Sequence, residues 1–167
     1  RAFRERARTH WTGRERKWRG PGELPPPPYE KIAVSEYLHP TFLGRRSGVY
    51  QSSIGCPFGC KFCGVVSVFG SREKQESPER TAAHLGFLAR RHGMDSVHFY
   101  DNNFIVGEAH ARELAERIEP LGLRWWCEAR VDALLRFSDG TWRLLRRSGL
   151  TMVFCGAESG SGHGLRK

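Results

Sequence analysis

The sequence lacks any uninterrupted apolar run approaching the roughly 18–20 residues that cross a bilayer as a helix. Runs such as Met152-Val153-Phe154-Cys155 are far shorter. No secretory signal is visible either, which sets the expectation of a cytoplasmic protein without a membrane partner. Cysteine is scarce: five among 167 residues, an odd number. Three of the five crowd into residues 56–63, too close to pair without strain, so a reducing compartment is the better reading. Repeats of fixed period are absent. A composition of 39% hydrophobic and 27% charged residues excludes collagen, a coiled coil and a disulfide-dense mini-protein. What remains is chain enough for about one domain with a real core.

Acidic residues are outnumbered, 18 to 27, for a formal net charge of +9. The excess is local. Residues 1–20 carry eight Arg or Lys and two Glu, while the other 147 residues carry 19 basic and 16 acidic side chains. A basic arm could touch nucleic acid, but a solvated linker is the plainer reading, and the nearly balanced body argues against a nucleic-acid partner. Pro21-Gly22 and Pro25-Pro26-Pro27-Pro28 follow, favouring extended polyproline II. Residues 1–48 therefore read as a basic, Pro-rich lead-in, and residues 49–167 as the domain proper.

From residue 49 short strands alternate with helices. Val49–Ile54 reads as a strand. Ser77-Pro78 starts a helix that Gly93 ends. Ser96–Tyr100 is a second strand, and Glu108–Ile118 a helix with Ala111, Leu114, Ala115 and Ile118 on one face and Glu113/Arg117 as an i, i+4 pair. Pro120 and Gly122 end it. Leu123–Glu128, a helix from Ser138 to Arg147 stopped by Gly149, and the strand Thr151–Cys155 complete the series. The fold class is α/β, with parallel (βα) repeats. On the third strand one of Trp125 and Trp126 should enter the core and the other pack beneath a helix. His98 could line the pocket, but a satisfied structural histidine is the plainer reading, and Cys127 and Cys155 read as small core residues.

In such sheets the chemistry collects where strands end and loops begin. The loop after the first strand is Gly55-Cys56-Pro57-Phe58-Gly59-Cys60-Lys61-Phe62-Cys63-Gly64. Later strands lead into Asp101-Asn102-Asn103, Glu128-Ala129-Arg130 and Glu158-Ser159-Gly160. The Cys-x-x-x-Cys-x-x-Cys spacing offers three soft thiolates suited to zinc or an iron–sulfur cluster. Structural zinc wants four protein ligands, and no nearby fourth Cys or His completes the set. Three thiolates leave one metal position open.

Cys56-x-x-x-Cys60-x-x-Cys63, with Phe62 before the last cysteine, resembles the signature of the radical S-adenosylmethionine superfamily. Phe99-Tyr100-Asp101-Asn102-Asn103-Phe104, Arg124–Arg130 and Gly156–Ser161 resemble members that carry a cobalamin-binding domain; Asn102 stands where the usual stretch has a second Asp. The resemblance covers about residues 48–161. It implies a partial TIM-type barrel of about six units, truncated here after about four strands, with residues 49–167 as the N-terminal part of the radical S-adenosylmethionine domain. It also implies that Cys56, Cys60 and Cys63 ligate a 4Fe–4S cluster. S-adenosylmethionine on the fourth iron would be cleaved reductively to a 5′-deoxyadenosyl radical, with cobalamin-assisted methyl transfer as an added step. By the same resemblance Phe62 sits near the adenine, and Asp101, Asn102 and Asn103 meet the methionine amino group. Glu128 and Arg130 reach the same ligand, Arg130 by its fork, and Glu158 and Ser159 meet the ribose. Glu128 and Arg130, two apart on a strand, could equally pair with each other. The expected partners are a small-molecule substrate and an external one-electron donor such as flavodoxin or ferredoxin, and the cobalamin-binding domain is expected outside this chain. Alone, the fragment should be inactive or weakly active. The alternative is a cysteine-ligated knuckle for zinc or redox use, whose basic arm engages nucleic acid.

Overall fold

The computed structural model describes residues 19–165. Most of the basic arm, residues 1–18, and the partner considered for it lie outside the described residues. Within them the chain runs β1 (Ser47–Tyr50), β2 (Ser53–Gly55), α1 (Gly64–Phe69), β3 (Glu73–Gln75), α2 (Pro78–His92), β4 (Ser96–Phe99), α3 (Glu108–Ile118), β5 (Arg124–Glu128), α4 (Val131–Leu134), α5 (Asp139–Arg147), β6 (Leu150–Phe154) and α6 (Gly162–Leu165). Four strands form one parallel sheet in the order β1-β4-β5-β6. This is the expected α/β arrangement of successive βα units.

Local chemistry sets the helix bounds. Ser77 caps α2 by accepting from the Arg80 N–H at 3.2 Å, Pro78 occupies the first turn, and Gly93 closes the helix at φ +67°. Ser138 caps α5 in the same way through the Thr141 N–H at 3.3 Å. Gly149, at φ +102°, turns the chain from α5 into β6 so closely that a Cβ there would lie 1.9 Å from the Leu123 carbonyl oxygen. No other residue type fits that turn.

The first strand differs from expectation. The chain breaks after Tyr50, and β2 leaves the parallel sheet to pair antiparallel with β3. The cause is the buried Asp101 carboxylate, which accepts from the Ser52 hydroxyl at 3.1 Å and from the Ser53 N–H. The Ser52 carbonyl in turn takes the Glu76 N–H at 2.7 Å.

The helices cover one face of the sheet. Leu85 and Leu88 of α2, Leu114 and Ile118 of α3 and Leu144 and Leu145 of α5 bury against Val97, Phe99, Trp125 and Cys127. The opposite face carries Val49, His98, Trp126 and Met152 in one row across the strands. Trp126 thus does not pack beneath a helix. It stacks on His98, with ring centroids 3.7 Å apart and planes 8° from parallel, because alternation sends it to the face away from α2, α3 and α5. Cys127 is a core residue as expected, while Cys155, just past β6, is half-buried. Beyond β1, at the sheet's edge, Pro21, Leu24, Pro25 and Pro27 face Val49, Tyr50 and Gln51 across a cavity of about 340 Å³. Arg80 fastens this segment by donating to the Leu24 carbonyl at 2.6 Å.

Glu108 joins the N-termini of α3 and α5, accepting from the Thr141 hydroxyl and from the Ser138 hydroxyl and N–H at 2.7 and 3.0 Å. The Thr141 and Ser138 hydrogen bonds hold its carboxyl down at about 2, against an ordinary 4.5. The folded value lies below the unfolded one, so the stabilisation is complete above pH 4.5 and is lost as pH falls toward 2. Glu108→Gln should therefore lower the urea midpoint at about pH 6, and its gap from the parent should narrow toward about pH 3. Urea titrations at both pH values check this.

Candidate functional site

The cysteine loop leaves β2 and returns through α1 to β3. The Cys56 N–H donates to the Arg72 carbonyl at 3.0 Å, and the Cys63 N–H to the Cys60 carbonyl at 3.1 Å. Cys63 then stands at the N-cap of α1. All three thiols are free and half-buried. Burial pushes the Cys56 thiol up, assisted by the Glu73 charge. Among the described residues, no group of three or more His, Cys, Asp or Glu side chains is arranged to hold a metal ion by itself.

Arg130 reaches this loop from the end of β5. Its Nη1 donates to Cys60 Sγ at 3.0 Å, and its guanidinium lies 4.1 Å from the Phe58 ring centre. The other nitrogens, Nε and Nη2, hold both carboxylate oxygens of Asp132, at 2.9 and 3.0 Å. Arg130 therefore does not pair with Glu128. The Glu128 carboxylate instead stands 4.0 Å from His98 Nε2. His98 is not the satisfied histidine expected: its buried Nε2 has no hydrogen-bond partner, and burial lowers its pKa.

The loop after β4 is divided. Asp101 and Asn103 point inward and are 1% and 2% exposed. The Asn103 amide oxygen takes the Arg130 N–H at 3.2 Å. Asn102 is exposed and donates to the Gly55 carbonyl, beside Cys56, at 3.4 Å. Phe62 lies open at 71% exposure. Glu158 is exposed at φ +58°, and the Ser159 hydroxyl accepts from the Ser161 N–H at 3.1 Å. No hydrogen bond or ion pair joins Glu158 or Ser159 to the cysteine loop among the described residues. The structure thus gathers Cys60, Arg130, Asn102 and Asn103 at one end of the sheet. It adds Phe58, Asp132, Ser53 and Glu73. Phe58 lay within the motif and was findable; the other three carry no signal short of the fold.

A parallel βα sheet bearing a three-thiol loop past its first strand defines the class: the partial barrel of radical S-adenosylmethionine proteins. No protein-family model matches the chain. It is 30% identical over 141 residues to an uncharacterized methyltransferase of Pyrococcus horikoshii, covering 83% of this chain and 29% of that protein. It is 29% identical to the cytidylyl-2-hydroxyethylphosphonate methyltransferase of Streptomyces wedmorensis, covering 76% and 24%, and 28% identical to the hopanoid C-3 methylase of Methylococcus capsulatus, covering 87% and 30%. The chain thus spans less than a third of the length of these curated relatives. Among solved structures it matches TsrM, a radical S-adenosylmethionine methyltransferase of Kitasatospora setae solved with its tryptophan substrate and an S-adenosylmethionine analogue (aza-SAM) bound, with TM-score 0.61 and 20% identity over 75% of this chain and 26% of that one. A second structure of TsrM, with cobalamin and a [4Fe-4S] cluster bound, matches with TM-score 0.58 and 20% identity over 77% and 28%. The shared fold with TsrM and the methyltransferase names among the relatives agree with the resemblance to the radical S-adenosylmethionine superfamily.

Proposed function

We propose that this chain belongs to a radical S-adenosylmethionine methyltransferase and supplies its cluster-binding part, with residues 1–48 as lead-in and 49–167 as the opening of the catalytic domain. The observation that carries this reading is the loop of three half-buried free thiols, with Arg130 Nη1 on Cys60 Sγ. The donor set fits a 4Fe–4S cluster: three soft ligands close together in the loop, with no fourth Cys or His in it. A cluster held there supplies the electron that cleaves S-adenosylmethionine, and cobalamin the methyl carrier. Cys56, Cys60 and Cys63 would hold the irons. Phe62 presents an open ring for the adenine, and the Asp101–Asn103 loop, with Asn102 outermost, meets the methionine amino group. Arg130 and Glu128 orient the ligand's charged end, and Glu158 and Ser159 take the ribose. The remaining partners are a small-molecule substrate and a one-electron donor such as flavodoxin or ferredoxin, in the reducing cytoplasm. No helix among the described residues is long and apolar enough to cross a membrane. The zinc knuckle with a nucleic-acid arm has no support in the relatives, which are by name methyltransferases, methylases and a cyclase.

The test is anaerobic reconstitution of the full chain with iron and sulfide. Brown protein absorbing near about 400 nm, with a spectral change on adding S-adenosylmethionine, is expected. Colourless protein holding one zinc would overturn the proposal.

A further inference from the structure

Behind the cysteine loop, two carboxyl groups and a hydroxyl each have a buried oxygen without a partner; Asp101 and Ser53 are buried whole, Glu73 half-buried. Asp101, 1% exposed, spends Oδ1 on Ser52 and Ser53, and its Oδ2 has no partner. Ser53, 2% exposed, likewise has an unpartnered Oγ. Glu73 faces Gly55 across the β2–β3 pair; one of its oxygens accepts from Gln75 at 3.0 Å, and the other, Oε1, is buried without a partner. Ser53 stands opposite Gln75 and Glu73 opposite Gly55, so Ser53 and Glu73, two positions apart in register, share one face of the β2–β3 pair, and the Ser53 N–H holds Asp101 beside them. No salt bridge reaches either carboxylate among the described residues.

Two carboxylates buried together repel unless a proton or a cation lies between them. We propose that Asp101 Oδ2, Glu73 Oε1 and Ser53 Oγ form a site for a hard divalent cation, Mg²⁺ or Ca²⁺, distinct from the thiol loop. Hard oxygen donors suit such ions, and two carboxylates match their charge. The softer thiolates nearby select iron instead, so the two centres sort their metals by donor type. The ion would tie together β2, β3 and the end of β4, the three segments from which the cysteine loop is hung. The site needs no cluster; it shares the Asp101 loop with the proposed S-adenosylmethionine pocket, while Glu73 and Ser53 belong to it alone, so ion binding by the cluster-free chain is read separately from that pocket.

The experiment is a calorimetric titration of the full chain, in buffer freed of divalent ions, with CaCl₂ and with MgCl₂, paired with thermal melts. One site per chain is expected for at least one ion, with a melting temperature raised by roughly 5 °C at about a hundredfold excess over Kd. Glu73→Gln, which keeps the shape and removes the charge, should weaken binding at least about tenfold. Glu113→Gln on the exposed face of α3 should leave it unchanged. The proposal fails if the parent binds neither ion, or if Glu73→Gln binds as the parent does. It fails equally if Glu73→Gln melts higher than a parent indifferent to both ions, since a shared proton then fills the gap. A response to S-adenosylmethionine alone would assign the gap to an ammonium group and also overturn it.

Discussion

Cys60→Ser is expected to leave reconstituted protein nearly colourless, with iron per chain reduced well beyond the roughly 10–100-fold loss of affinity seen when a partner outside the ligand set is removed. The loop offers three thiols and no reserve, so losing one removes a third of the protein's hold. A serine hydroxyl is a hard donor that ionises far less readily than a thiol and cannot stand in for it. Cys60 is also the thiol that Arg130 touches, at 3.0 Å, so the substitution replaces that sulfur with a hydroxyl of shorter reach. S-adenosylmethionine should then produce no spectral change. Cys155→Ala, at the far edge of the sheet, should retain both colour and response. Iron analysis and absorption spectra of the three proteins decide the matter. An unchanged centre in Cys60→Ser would sink the assignment.

Trp125→Ala should be the most destabilising single truncation in the core. The side chain is 1% exposed, meets Phe99 and Phe104 edge-on with ring centres 5.6 Å away in each case, and donates Nε1–H to the Ser148 carbonyl at 3.0 Å. Emptying that volume costs about 3–5 kcal/mol, a large part of the roughly 5–15 kcal/mol that holds a domain of this kind folded. Trp126→Ala, one residue on, should cost less than half as much, because its half-buried ring lies on the face away from the helices, against His98 and Phe42. Urea midpoints of the two variants test the assignment of faces. Equal losses would mean that the face bearing His98 is as tightly packed as the core.

Much of this was legible in the sequence, for local reasons. Ser77, Ser138, Gly93 and Gly149 mark helix ends through their own backbone and side-chain chemistry, and α3 falls on Glu108–Ile118 as its apolar spacing required. The three cysteines were legible because metal ligation depends on residue type and spacing. The break between β1 and β2 was not, because the group that makes it, Asp101, is 48 residues from Ser53. Nor was β3: Glu73-Lys74-Gln75 has no apolar alternation and pairs through its backbone. The protein neighbour of the Arg130 fork was not legible for a related reason. Nothing in the spacing said that Asp132, rather than Glu128, would fill it, since α4 begins at Val131 and turns Asp132 back toward Arg130.

The proline-rich segment beside β1 has a colloidal consequence. A free sheet edge recruits foreign strands through its bare N–H and C=O groups, and fibrils grow by that route. Here Pro25 and Pro27 stand in front of that edge. Proline has no N–H to lend to an incoming ladder, so a chain arriving from this side meets a screen that cannot propagate pairing.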